Sequence, residues 1–167
     1  MEAFVLLGSN IGLREQHLSK AIKQISALFG APEMLSHIYA SESWGFHGQE
    51  FLNQLVVFST TEHPVNLLRQ LLEIEQLLGR SRHTASGYVD RIIDIDLLYL
   101  GNIVHESPEL ILPHPRLHLR RFTLLPLVEL APQMVHPVLN KTHQQILSEL
   151  EDNCRVTLRP TEINFNR

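Results

Sequence analysis

Apolar residues recur along the chain at two spacings, every second residue or every third to fourth, and each change of spacing marks a new element. Residues 3–7 form an unbroken apolar run, read as a buried strand. After Gly8-Ser9-Asn10 and Ile11-Gly12, Leu18, Ile22, Ile25 and Phe29 recur at steps of four, three and four. They predict a helix that Gly30 and Pro32 end. Residues 34–43 alternate as a second strand, with Leu35, His37 and Tyr39 against Ser36, Ile38 and Ala40. A loop over residues 42–50 and the segment Phe51-Leu52-Asn53 then lead into a strand at 54–60. Pro64 suits the first turn of a helix whose Val65, Leu68, Leu71, Leu72 and Leu78 line one side. Glu75 lies on the border of that side, and Gly79 ends the helix. A polar loop, 80–91, precedes a second alternating strand at 93–100. There Ile93, Ile95, Leu97 and Tyr99 share one face, and Asp94, Asp96, Leu98 and Leu100 the other. Gly101-Asn102 predicts a turn into a hairpin at 103–105. Residues 106–112 end in Pro113-His114-Pro115. A short helical stretch then holds Arg120, Arg121 and Phe122, followed by a mostly apolar run at 124–130. Thr142 is the N-cap of a last helix reaching residue 150, and residues 156–158 read as a strand.

Length and charge narrow the picture. At 167 residues the chain suggests one domain, over 1–160, with a loose tail at 161–167. The net charge of −4 gives no footprint for nucleic acid or an anionic membrane. Basic residues are nonetheless dense at Arg80, Arg82, His83 and Arg91, and again at His114, Arg116, His118, Arg120 and Arg121. A local basic surface on an acidic chain suits a small anionic ligand. Cys154 is the only cysteine, so a reducing compartment, the cytoplasm, is expected. No signal peptide is expected, since Met1-Glu2 leads straight into a strand, and no apolar run reaches membrane-spanning length. With no apolar surface helix left over, a monomer is expected.

The candidate chemistry centres on Asp94 and Asp96. On one face of a strand their Cα atoms lie about 7 Å apart. Two carboxylates so placed among aliphatic residues repel each other and lose solvation, and a cation relieves both costs. Oxygen-only ligation suits Mg²⁺, which takes one or two protein carboxylates and completes its sphere with phosphates and water. The alternative is the wet face of an edge strand, but Leu98 and Leu100 continue that face. The loop at 80–91 has the length of a lid and the charge to close over a polyphosphate; a merely solvated loop is the alternative. Trp44, Phe46 and Phe51 with Asn53 can bind a flat heterocycle, or anchor a loop. Ser9 or Asn10 can cap the first helix or present N–H groups to an anion.

These motifs, in this order, resemble the 6-hydroxymethyl-7,8-dihydropterin pyrophosphokinase family of folate biosynthesis. The resemblance runs from about Phe4 to Leu150. It is carried by Gly8-Ser9-Asn10, Trp44-Gly45 with Phe51-Leu52-Asn53, Gly79-Arg80-Ser81-Arg82, Arg91-Ile92-Ile93-Asp94-Ile95-Asp96, Pro113-His114-Pro115, and Arg120-Arg121-Phe122 with Pro126-Leu127. It implies an α+β fold: an α/β sandwich on a ferredoxin-like plait, with a mainly antiparallel sheet flanked by helices. It implies transfer of the pyrophosphoryl group of ATP to the pterin's hydroxymethyl oxygen, with release of AMP. Asp94 and Asp96 would hold two Mg²⁺ and, with Arg80 and Arg91, carry the catalysis. Glu75, Arg82, Ile111, His114 and Arg120 would join Arg80 and Arg91 on the nucleotide side. Ser41, Glu42, Ser43, Trp44 and Gly45 would border the pterin, between Phe51 and Phe122, with Asn53 reading its edge. Three positions depart from the family pattern. Tyr88-Val89-Asp90 stands where Trp-Gly-Pro is common, in a loop slightly longer than usual. His83 stands where some members have Lys, and Pro115 where an aromatic is frequent. Two other readings compete. A nucleotidyltransferase would keep its Gly-Ser and Asp-x-Asp motifs close together, whereas Ser9 and Asp94 are far apart. A non-catalytic binding domain would not turn over ATP.

Overall fold

A strand that is apolar at every position needs cover on both faces, and that requirement sets the layers of the molecule. The structure is a computed structural model that describes residues 1–43, 48–79 and 92–159. In chain order it contains β1 (Glu2–Ser9), α1 (Arg14–Phe29), β2 (Met34–Leu35), β3 (Tyr39–Ser41), β4 (Phe51–Ser59), α2 (Pro64–Leu77) and β5 (Asp94–Leu100). Then come β6 (His105–Glu106), β7 (Ile111–Leu112), a 3-10 turn (Leu117–Leu119), α3 (Arg121–Leu130), α4 (His143–Glu149) and β8 (Val156–Leu158). The sheet runs β5-β1-β4-β3-β8, with β2 also on β4, and each pairing is antiparallel. Ala3, Val5 and Leu7 of β1 pack with Leu18, Ala21 and Ile25 of α1 and Leu67, Leu71 and Ile74 of α2. Phe4 and Leu6 pack the other way, with Leu55 and Val57 of β4, Leu124 and Leu127 of α3, and Ile146 of α4. The result is the expected α+β sandwich. Six of its elements, β1, α1, β3, β4, α2 and β5, give the strand order β5-β1-β4-β3 of a ferredoxin-like plait, and α3 and α4 cover the opposite face. Among the described residues no helix is long and apolar enough to cross a membrane.

Strict alternation in β5 fails at one point. Phe4 pairs with Tyr99 and Val5 with Leu97, so Leu98 is an extra residue, a β-bulge. One extra residue reverses the faces beyond it. Leu98 and Tyr99 join the α3/α4 core, while Leu100 joins the α1/α2 core. Leu98 therefore continues the face of Asp94 and Asp96, but Leu100 does not, and Tyr99 leaves the face of Ile95. The turned Tyr99 hydroxyl meets the Nε2 of His143 at 3.0 Å.

Other boundaries differ for local reasons. The strand expected over 34–43 is broken at Ser36, whose Oγ accepts the Leu55 N–H (2.9 Å) while Gln54 Nε2 donates to its carbonyl (2.8 Å). Side chains take ladder places there and divide the strand into β2 and β3. β4 begins at Phe51, earlier than expected, which puts Phe51 and Asn53 inside the sheet. The segment after the Gly101 turn does not pair with β5. β6 pairs with β7 instead, because the outer edge of β5 is already used. His114 donates its N–H to Leu98 O (2.9 Å), and the Ile95 N–H bonds Glu75 (2.6 Å). The helical stretch near residue 121 and the apolar run after it form one helix, α3, with Arg120 at its N-cap. α1 starts at Arg14 with Leu13 at the N-cap, so neither Ser9 nor Asn10 caps it. Thr142 does cap α4, in a reciprocal pair with Gln145.

Candidate active site

Gly8, one residue before the end of β1, puts no side chain on its face of the sheet. It pairs on one side with Asp94 of β5 and on the other with Asn53 of β4, and Asn53 pairs in turn with Tyr39 of β3. Directly paired residues share a face, so Asp94, Gly8 and Asn53 form a row across three strands, on the α3/α4 side. A Cβ at Gly8 would stand 3.4 Å from Asn53 Oδ1, 3.6 Å from the Phe51 ring and 3.9 Å from Asp94 Cβ. The glycine thus leaves a floor walled by an acid, an amide and an aromatic ring. A glycine inside a strand is a known mark of close approach by a ligand or backbone.

The amide wall is oriented. Asn53 Nδ2 donates to Ser41 Oγ (2.9 Å) and to Tyr39 O (3.4 Å). A carbonyl only accepts, so the nitrogen must point that way, and Oδ1 is turned over the Gly8 floor as an acceptor for a ligand N–H. Tyr39 is tied down in turn: its hydroxyl donates to Glu129 of α3 (2.8 Å), which also takes the His37 N–H (3.0 Å). Ser41 is buried. Ser43 donates through Oγ to Gln49 O (2.8 Å). Glu42 turns away and pairs with Arg155, at 3.3 Å between side chains. On the other side of the loop, Asn10 Nδ2 reaches Gln49 O (3.3 Å) and Arg14 reaches Glu50 O (2.6 Å). Phe122 opens α3 and packs on the same side of the sheet, with the Arg120 guanidinium 5.5 Å from its ring centre.

Asp94 also belongs to a second cavity. A cleft of about 410 Å³ lies between α2, β5 and residues 107–115, lined among others by Glu75, Asp94, Asp96, Ile111 and His114. Leu68, Leu72 and Leu110 supply apolar wall. His114 Nδ1 accepts the Arg116 N–H (3.2 Å), which leaves the proton on Nε2. Burial, then the nearby Arg120 and Arg116, hold the His114 pKa down to about 4 against the pull of Asp94. The ring is neutral at pH 7 and donates from Nε2. Arg120 is buried, and Glu75 is 1% exposed with Oε1 on the Ile95 N–H. The structure therefore brings Glu75, Asp94, Asp96, Ile111 and His114 around one cleft, and Phe51, Asn53 and Asp94 around the adjoining floor. Trp44, Gly45, Phe46, Arg80, Arg82 and Arg91 lie outside the described residues. Sequence reasoning passed over Gly8 as a site residue, although a glycine in an apolar strand was the available signal. It also passed over Glu129, whose contacts with β3 carry no local signal.

The donor chemistry fits a hard cation that is only partly held by protein. Asp94 and Asp96 offer carboxylate oxygens alone. Among the described residues no group of three or more His, Cys, Asp or Glu is placed to hold a metal. Such a site suits Mg²⁺, whose remaining ligands are water and substrate phosphate.

Fold and site together define an α+β sandwich with an acid pair set between the Gly8 floor and a second cleft. The chain belongs to the 7,8-dihydro-6-hydroxymethylpterin-pyrophosphokinase (HPPK) family, whose model matches residues 4–132. It is 35% identical over 150 residues to the 2-amino-4-hydroxy-6-hydroxymethyldihydropteridine pyrophosphokinase of Synechocystis sp., covering 89% of this chain and 76% of that one. It is 39% identical over 138 residues to the enzyme of the same name from Porphyromonas gingivalis, covering 80% of this chain and 92% of that one. Its fold is similar to a crystal structure of a Plasmodium falciparum HPPK-DHPS triple mutant with pteroate. The TM-score is 0.70 at 17% identity, over 89% of this chain and 43% of that one.

Proposed function

We propose that this chain transfers the β,γ-pyrophosphoryl group of ATP to the hydroxymethyl oxygen of 6-hydroxymethyl-7,8-dihydropterin, giving the pterin diphosphate and AMP in folate biosynthesis. Asp94 and Asp96 would hold two Mg²⁺. The observation that supports this reading best is the row Asp94–Gly8–Asn53. It puts an acid shared with the second cleft beside a floor bordered by an amide and an aromatic ring. The pterin lies over Gly8 between Phe51 and Phe122, within reach of Ser41 to Ser43, and gives an N–H to Asn53 Oδ1. ATP occupies the cleft of Ile111 and His114. His114 donates from Nε2 to a phosphate oxygen, and Arg120, near enough to lower the His114 pKa, adds positive charge. Arg80, Arg82 and Arg91 complete the phosphate contacts, with Arg80 and Arg91 assisting the transfer itself. The hydroxymethyl oxygen attacks the β-phosphorus, the bond from that phosphorus to the α,β-bridging oxygen breaks, and AMP leaves with that oxygen. The hydroxyl proton passes to solvent. When bound, Mg²⁺ offsets charge on the phosphates and brings the reactants in line. The remaining readings are one domain over residues 1–160, a monomer, and a cytoplasmic location.

Product analysis tests the reaction. The protein is incubated with ATP, Mg²⁺ and 6-hydroxymethyl-7,8-dihydropterin, with pterin-free and EDTA controls. AMP equal in amount to pterin diphosphate, and only with metal, is the expected result. ADP would mean transfer of a single phosphoryl group. No nucleotide turnover by folded protein would favour a binding domain.

A further inference from the structure

Glu75 is a carboxylate almost wholly out of water, on a helix side that the hydrophobic period would fill with an apolar residue. It stands near the end of α2, 1% exposed, and its Oε1 accepts the backbone N–H of Ile95 at 2.6 Å. Ile95 is the residue between Asp94 and Asp96. β5 is an edge strand, and along an antiparallel strand the N–H groups alternate between the two sides. Asp94 and Asp96 pair with Gly8 and Leu6 of β1, while the Ile95 N–H points outward, where no strand continues the sheet. Glu75 replaces the missing strand at that single point, with a charge-assisted bond stronger than the ladder bond it stands in for.

We propose that Glu75 is a positioning residue for the Asp94/Asp96 pair. It pins the backbone between the two acids and so fixes where both carboxylates aim, without acting through contact with the nucleotide. This rests on the reading of the two aspartates as Mg²⁺ ligands. A carboxylate turned toward a polyphosphate repels it, whereas one turned onto an N–H puts its charge to structural use. Together with the β1 ladder, the bond holds the strand from both edges where the acids emerge. His114 N–H on Leu98 O (2.9 Å) does the same further along.

Three variants separate hydrogen bond from charge. E75Q keeps an oxygen acceptor of the same reach. E75A removes it. E75D keeps the charge but is one methylene too short. Amide exchange at Ile95, read by NMR in protein free of metal and nucleotide, is expected to stay slow in wild type and E75Q and to rise in E75A and E75D. Mn²⁺ affinity in the presence of a non-hydrolysable ATP analogue, read by EPR, is expected to fall about 10–100-fold in E75A and E75D and less than about threefold in E75Q. Turnover number follows Mn²⁺ affinity, while KM for ATP moves less. Wild-type exchange and Mn²⁺ affinity in E75A overturn the proposal; if E75A does not fold, the same result in E75D does so. E75Q as weak as E75A overturns it in favour of charge, and a raised KM for ATP at unchanged turnover number overturns it in favour of a nucleotide contact. Wild-type protein that binds no Mn²⁺ defeats the metal reading as well. Wild type and E75A binding Mn²⁺ equally defeats the role of Glu75 alone.

Discussion

On the α1/α2 face of the sheet, β1, β4 and β5 contribute Ala3, Val5, Leu7, Leu52, Val56, Phe58, Ile95 and Leu97, all buried. On the α3/α4 face the same strands contribute Phe4, Leu6, Leu55 and Val57 at one end. At the other end they carry Gly8, Phe51, Asn53 and Asp94. The first face is closed by two helices whose apolar sides run its length. The second is core for half its length and candidate site for the rest. The strands thus take their stability from the first face and from one half of the second. That leaves the remaining half to hold groups that packing alone would not choose.

If this division is right, substitutions on the two faces should part activity from stability. The largest effect is expected at the acid pair. Asp94→Ala and Asp96→Ala each lower turnover by ~10²–10³-fold or more while the protein remains folded; steady-state assay beside circular dichroism checks both halves. Near-normal turnover in either variant would remove the metal role. Ile25→Ala, in the core of the α1/α2 face, is expected to do the reverse. It loses about 2–5 kcal/mol of unfolding free energy in urea denaturation, with kcat of the folded fraction unchanged. Gly8→Ala sharpens the comparison at the boundary. The added methyl sits at ordinary contact distance, 3.4 Å from Asn53 Oδ1, so the fold survives. It takes up the floor, however, and raises KM for the pterin by about tenfold, the loss of roughly one good contact, with KM for ATP little moved. Equal increases in both constants would mean that Gly8 does not belong to the heterocycle side.

The smallest effect is one of pH. Behind the α3/α4 core, His143 donates from Nδ1 to Ala131 O (2.8 Å) and accepts the Tyr99 hydroxyl at Nε2. His136 Nδ1 accepts the N–H groups of Val138 and Leu139 (both 3.2 Å). Burial, then His118 and His143, hold the His136 pKa down to about 4 from an ordinary 6.5, and burial lowers that of His143. Between those values the unfolded chain binds more protons than the folded one. Stability is therefore full above about pH 6.5 and falls as pH drops toward 4. Thermal unfolding from pH 8 to 4.5 should show Tm level and then declining, and His136→Gln should flatten the decline.

Much of this was legible in the sequence because it is local. The steps of four and three from Leu18 to Phe29, the alternation around Asp94 and Asp96, and Thr142 before its helix each depend on neighbours in the chain, and each forms as read. The bulge at Leu98 was not legible, since it exists only in the register against Phe4 and Val5. The break at Ser36 depends on Leu55 and Gln54, far along the chain. The same holds for the site. The spacing of Asp94 and Asp96 and the nearness of Phe51 to Asn53 show in the sequence. The bonds that orient them do not, because Ser41 to Asn53, Glu129 to Tyr39 and Glu75 to Ile95 all join separate elements.

The central claim is that Gly8 is a shared floor joining an acid pair to a heterocycle site. A crystal structure with Mg²⁺, a non-hydrolysable ATP analogue and 6-hydroxymethyl-7,8-dihydropterin tests it most directly. The expected result is the ring lying over Gly8 with an N–H on Asn53 Oδ1, and metal about 2.1 Å from oxygens of both Asp94 and Asp96. A ring bound away from Gly8, or metal held without either aspartate, would contradict it.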